Sequence, residues 1–565
     1  MRTFRALLVL GLAGVVAGCG ADGPAPGHGD GLADVPGGAH HHPPGGVGGV
    51  EVPVEDHSGH LVAGGVEGEG VGRVHFPVAC EPLAQERIEV GLAMFHSFWF
   101  GQADEVFQEA LALDPTCGMA EWGRAITRMG NPYAGAIPEA RRSQAREALD
   151  RAEAAGLATP RERDWVAVFR PLFAADGSEV TRRLTWEAEM EEMARRHPED
   201  TEAQVFLGLA LLAAAPPEDT TFARQLRAAA MLEDLFLHRP DHPGLAHYII
   251  HAYDAPALAE RGLDAALRYA EIAPDAPHAL HMPSHIFTRL GMWDRSIEVN
   301  LRSAAASGGD WERVHAWDYL VYAYLQQGRD REAAGIVDRA LAAAEALPEP
   351  SLAWNTFNWQ AMSARLVLEL GDWDNAAALP PTGAGMGPAT AVRHFARGLG
   401  MARIGDLTGA QMEAGRLEEI RDALELAGEA YWSRIVEAQA LAVRGWTHHG
   451  QGDTAAALLL LDRAAVLEEE VEKHPVTPGP LLPAREMHGE LLLDDGDPVA
   501  ALASFRRVLE REPHRGRATF LAGLAALEAG DALAAEGYFG AYRELTTRGD
   551  GTRSWDRRAW WGRGG

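Results

Sequence analysis

"HGELLLDDGDPVAALASFRRVLEREP", residues 488–513, decides the fold. Two segments of helical period are separated by Asp-Asp-Gly-Asp, a helix-breaking cluster. Small Gly489 is followed by Gly496, then Ala501, Phe505, Val508 and Pro513. A glycine at the end of the first helix takes the left-handed conformation that stops it. Small residues let the two helices approach closely. The same spacing returns in Gly523, Gly530, Ala535 and Phe539, and earlier in Gly445, Gly452, Ala457, Leu461 and Ala464. It is present again in Gly398, Gly405 and Ala410, in Ala364, Gly371 and Ala376, and at the front in Gly91, Ala103, Phe107, Ala110 and Pro115.

A helix–turn–helix unit of about 34 residues resembles the tetratricopeptide repeat, with small residues at positions 8, 20 and 27, Gly at 15, a large apolar residue at 24 and Pro at 32. The expected fold is therefore all-α, a tetratricopeptide-type solenoid over residues 73–548 with irregular units in the middle. Residues 549–565 form a tail that is loose or covers the open end. No run of alternating strands competes with this reading.

The chain has 565 residues, 47% of them hydrophobic, and a net charge of −30. That acidity argues against binding nucleic acid, which needs clustered Lys and Arg on the phosphates. The first residues, "MRTFRALLVLGLAGVVAGCG", join Arg2 and Arg5 to an apolar run too short for a membrane span. Val16-Ala17-Gly18-Cys19 resembles the lipobox of bacterial lipoproteins. The resemblance implies a signal peptide over residues 1–18, cleavage before Cys19 and lipidation of its thiol and amino group. Several acyl chains hold stably where one is marginal. The expected location is the bacterial envelope, lipid-anchored, on the outer membrane facing the periplasm. Residues 19–72 are rich in Gly, Pro and His and read as a flexible linker. Its His28, His40, His41, His42, His57 and His60 could bind metal loosely. The remaining cysteines, Cys80 and Cys117, are an even pair in an oxidising compartment, where a disulfide is expected and a metal-thiolate role is the alternative.

Two histidine stretches carry the chemistry: "HPGLAHYIIHAYD" (242–254) and "HALHMPSHIFTRLG" (278–291). In the repeat family the first helix of each unit lines the groove through positions 2, 5, 9 and 12, one helical face. The turn at Gly291 places His278, His281 and His285 at 2, 5 and 9. The turn at Gly328 places His315, Asp318 and Tyr322 at the same positions. One unit back, from residue 243, His247, His251 and Asp254 fall at 5, 9 and 12. Zinc or copper takes three or four N, O or S ligands near 2 Å. The metal set read from this frame is His247, His251, His281 and His285, with Asp254 or Asp318 as ligand or supporting carboxylate. His278, His315 and Tyr322 line the groove beside it. Pro283 stands against the frame: if a helix starts there, His278 and His281 lie in the preceding loop. The alternatives are polar lining satisfied by hydrogen bonds, or a site for an organic anion or peptide carboxylate.

"HFPVACEP", "GLAMFHSFWFGQADEVFQEALALDPTCGMAEWGRA" and the two histidine stretches are similar to a group of secreted or envelope bacterial tetratricopeptide proteins. The resemblance spans most of residues 74–340. It implies that Cys80, Cys117, His96 and the histidine stretches form one feature, and it carries no activity. His96, among aromatics, reads as a core histidine. No nucleophile elbow, phosphate loop, dinucleotide fingerprint or His-Glu-x-x-His is present. The sequence reading is an anchored binding or scaffold protein whose groove takes a protein or peptide beside a histidine site. A metal-dependent hydrolase with Asp254 or Asp318 as general base, and an envelope metal-handling protein, are the alternatives.

Overall fold

The computed structural model describes residues 70–551 and 553, apart from 134, 217, 309, 348–355 and 382–384. The signal peptide, Cys19 and nearly all of the linker, with residues 554–565, lie outside the described residues. The described chain is an all-α solenoid of paired helices, from Pro82–His96 to Ala532–Leu545.

The frame explains the packing. In the first unit a Cβ on Gly91 would meet the Phe107 ring at 2.8 Å. The same collision recurs between Gly489 and Phe505 at 2.8 Å, and between Gly523 and Phe539 at 2.7 Å. Position 8 is small because position 24 of the same unit packs directly onto it. The "GD" dipeptides mark the turns. Gly371, Gly405, Gly452, Gly496 and Gly530 all have positive φ, from 66° to 89°. The aspartate after each caps the second helix by accepting a backbone N–H three residues on, as Asp497 does from Ala500. Cys80 and Cys117 form a disulfide that ties the approach to the first helix to the start of the third, Gly118–Thr127.

At the front the array begins earlier than the composition suggests. Val71 is buried, Gly70 accepts from the Asp275 N–H, and the Arg73 N–H bonds the Asp241 carbonyl. At the back, Arg553 is buried against Asp330.

The groove expected to be open is partly filled by the chain itself. Residues 471–483, between the helices Thr454–Glu469 and Ala484–Asp494, lie on first helices of earlier units. Lys473 reaches Asp254, the Val476 carbonyl accepts from Asn358, and Arg365 donates to Thr477 and the Pro480 carbonyl. A Pro-rich segment cannot form a helix and spends its backbone acceptors on side chains instead.

Candidate metal centre

The helix Pro243–Tyr253 begins at the residue where the repeat frame starts its unit, and so does Pro277–His281. Pro283 does not expel His278 and His281 from the helix. Met282 keeps right-handed helical dihedrals between Pro277–His281 and Pro283–Arg289. Proline removes one donor, and the turn is tightened by a bond from the His285 N–H to the Met282 carbonyl, 3.1 Å. All three histidines therefore stay on one face.

The structure brings six imidazoles together. Possible ligand atoms of His247, His251 and His278 lie within 4.8 Å of one another, and so do those of His281, His285 and His315. The rings of the two sets approach to 6.0 Å between His251 and His285 and between His278 and His281. His278 and His315, read as lining, belong to these sets. Asp318 and Tyr322 do not. Asp318 pairs with Arg365 at 3.2 Å and accepts from Asn358, and Tyr322 donates to Glu512. Asp254 faces the cluster from behind: it accepts from His285 Nδ1 at 2.8 Å, Arg289 at 3.0 Å and Lys473 at 3.0 Å.

Hydrogen bonds fix which ring nitrogens carry protons. His247 Nδ1 lies 2.6 Å from the carbonyl oxygen of His96, so it donates. His285 Nδ1 donates to the Asp254 carboxylate. Asn300 donates its amide to the Ser296 carbonyl at 2.7 Å, so its oxygen is the atom accepting from His281 Nδ1 at 2.6 Å. Neutral His281 and His285 thus each present an unprotonated Nε2, and these two atoms stand 3.1 Å apart, with the Tyr319 hydroxyl 3.4 Å from that of His285 and equally near the Pro475 and Thr477 carbonyls. Two acceptors cannot bond each other. A proton on one would resolve the clash, but the environment opposes it. Burial first, then neighbouring imidazoles, hold His247, His251, His278, His281 and His315 well below their ordinary value. Burial also lowers His285, against the pull of Asp254. Burial would raise Asp254 itself, but Lys473, Arg289 and His285 hold it well below the usual carboxylate range. A metal with Zn–N bonds of about 2.0–2.1 Å would span a 3.1 Å pair at an angle of roughly 100°.

His247 and His251 repeat the spacing, with Nε2 atoms 3.1 Å apart. His278 Nε2 is buried and has no hydrogen-bond partner among the described residues. A cavity of about 600 Å³ opens onto His251, His278, His281, His285 and His315, and Phe98, Tyr133, Phe357 and Trp432 line it.

Several contributors are not visible in the sequence. Phe98 has φ 53°, a left-handed conformation costing an aromatic residue roughly 1–2 kcal/mol. This places its ring against His247, His251 and His278, with centroids 4.4, 5.9 and 5.3 Å away. Asn300, Lys473 and Tyr133 support the cluster from outside the two histidine stretches, and no local motif marks them; Arg289 does so from within the second stretch, on the helix of His285. His96 is a core histidine, bonded to Tyr248 and Glu202. Glu202 shares its other oxygen with His242 at 2.7 Å, while His242 Nδ1 is buried without a hydrogen-bond partner among the described residues.

No family model matches this chain, and no curated protein matches it. Among solved structures it is similar to the human IFIT1 dimer with m7Gppp-AAAA, at 11% identity and TM-score 0.34, covering 76% of this chain and 90% of that one. It is also similar to Naa15/Naa10 bound to HypK-THB, at 13% identity and TM-score 0.23, covering 82% and 73%. At this distance the likeness bears on neither site nor ligand.

Proposed function

We propose that this chain is a lipid-anchored helical-repeat protein of the bacterial envelope that binds a transition metal, zinc or copper, on the histidines of its middle units. One observation carries the reading: the lone pairs of His281 and His285 face each other at 3.1 Å, with both Nδ1 atoms committed to acceptors. A buried polar cluster normally pairs its donors with its acceptors. This one lacks a positive centre, which a metal supplies. Asn300, Asp254 and the His96 carbonyl act on the ligand rings from behind, setting tautomer and orientation. The anchor rests on Cys19 and its preceding residues.

The hydrolase alternative loses its base. Asp254 is engaged by two cations and His285, and Asp318 by Arg365 and Asn358. Neither offers a free carboxylate to activate water. The cavity admits a small molecule more readily than an extended peptide, because residues 471–483 already occupy the neighbouring groove.

The test is metal content of the full chain in detergent, by plasma mass spectrometry, beside His281→Ala and His285→Ala. Bound zinc or copper is expected in the parent and a clear loss in both variants. Equal metal in all three, or none taken up by the parent on titration, would sink the reading.

A further inference from the structure

The two sets of imidazoles repeat one rule of the fold. His247 and His251 stand at positions 5 and 9 of their unit, and His278 at position 2 of the next. His281 and His285 stand at 5 and 9 of that next unit, and His315 at position 2 of the one after. The first two histidines advance by 34 residues, one repeat. The Nε2 spacing within each leading pair is the same, 3.1 Å. What the repeat does once it does again beside itself.

We infer that the centre holds two copper ions, one on His247, His251 and His278 and one on His281, His285 and His315, and that the pair takes dioxygen between them. This rests on the metal-binding reading above and adds number, identity and ligand. Three imidazoles per ion leave each coordination sphere open. Five of the six rings border the aromatic cavity, which gives a small ligand access. The rings of the two sets meet at 6.0 Å, so two ions on their facing edges are near enough to share one bridging ligand.

Charge selects copper. All six donors are neutral, and the nearest carboxylate, Asp254, is already balanced by Arg289 and Lys473. Two adjacent dications would meet only neutral donors in their own ligand sets, with Glu312 and Glu429 of the cavity wall the remaining carboxylates, and a charge of four on so few groups is costly. Two Cu(I) ions halve that charge, and imidazole suits copper. Each Cu(I) then gives one electron to a single dioxygen. The O–O bond stays intact, the oxygen becomes peroxide, and both metals become Cu(II). The two new positive charges are matched by the two negative charges of the peroxide, and no proton is required.

The full chain is loaded with Cu(I) without air, desalted and counted. The double variant His251→Ala/His285→Ala serves as the blank for copper on the linker histidines. Two copper ions above the blank are expected. On admitting air, one dioxygen should be consumed per two copper, and the Cu(II) pair should give no paramagnetic resonance signal because its spins are coupled. His278→Ala and His315→Ala should each keep one copper, and that copper should show its full signal once added ferricyanide takes its one electron. Each variant is checked by helical circular dichroism, with His278→Gln and His315→Gln standing in for one that fails to fold. One copper above the blank in the parent overturns the pair but leaves the metal-binding reading. Two copper ions with full, uncoupled signals, or no dioxygen consumed, also overturn the pair alone. No metal of any kind above the blank overturns both.

Discussion

The middle units and the C-terminal units put polar side chains at the same places in the repeat, and these reach opposite electrostatic states. In the unit that starts at Leu482, positions 5 and 9 are Glu486 and Glu490, and position 2 of the next unit is Arg517. These three meet just as the histidines do: Arg517 lies 2.8 Å from Glu490 and 3.4 Å from Glu486. Arg515 adds bonds to Glu486 and Glu369, both at 2.7 Å, and Arg403 holds Glu490 at 2.7 Å. Every charge there has an opposite within reach. The turns differ as well. The C-terminal "GD" turns carry aspartate caps, whereas Met292 and Arg329 follow Gly291 and Gly328 and cap nothing. The frame decides that three side chains meet. Their chemistry decides whether the meeting is complete in itself or calls for a ligand.

The largest effect should come from breaking the charge-paired side. Arg515→Met leaves Glu369 and Glu486 buried with their strongest partner gone. Loss of one member of a buried ion pair costs about 3–5 kcal/mol. Urea unfolding should show a loss of this size, with metal content unchanged. A loss under about 1 kcal/mol would mean that the C-terminal network is no more self-contained than the histidine cluster.

The middle units should respond to metal instead. A ligand at 100 times its Kd stabilises by about 2.7 kcal/mol. Chelation should therefore lower the melting temperature of the parent and leave that of the double variant His251→Ala/His285→Ala, which lacks a ligand of each set, where it was. An equal downward shift in both proteins would place the stabilising metal elsewhere.

The repeat was legible because position 8 and position 24 touch in the units of Gly91, Gly445, Gly489 and Gly523, and such contacts leave small and large residues at fixed spacing. The histidine cluster was legible for the same reason: its leading pairs are one repeat apart. Reading Asp318 as part of it failed on a partner far along the chain. The frame put Asp318 at position 5, but Arg365, from the following unit, takes its carboxylate. Lys473 and the segment around it could not be foreseen, because the solenoid returns residues 471–483 to helices between 112 and 219 positions earlier. Phe98 was hidden by its conformation: nothing in "FHSFWF" marks an aromatic residue with φ 53°.

A smaller effect separates the metal from its support. Asn300 touches only the far side of the His281 ring, yet its oxygen holds the Nδ1 proton and so keeps Nε2 bare. Asn300→Leu removes the acceptor without adding charge. Loss of such a supporting partner costs roughly 10–100-fold in metal affinity, about 1.4–2.7 kcal/mol. Asn300→Asp keeps an acceptor at the same reach and should recover most of that loss. Competition with a coloured chelator measures both variants against the parent. If Asn300→Leu binds as tightly as the parent, His281 does not depend on Asn300 for its tautomer, and the case for facing lone pairs loses its firmest support. If Asn300→Leu weakens binding and Asn300→Asp restores it, an acceptor one ring away from the metal is what separates these units from their C-terminal counterparts.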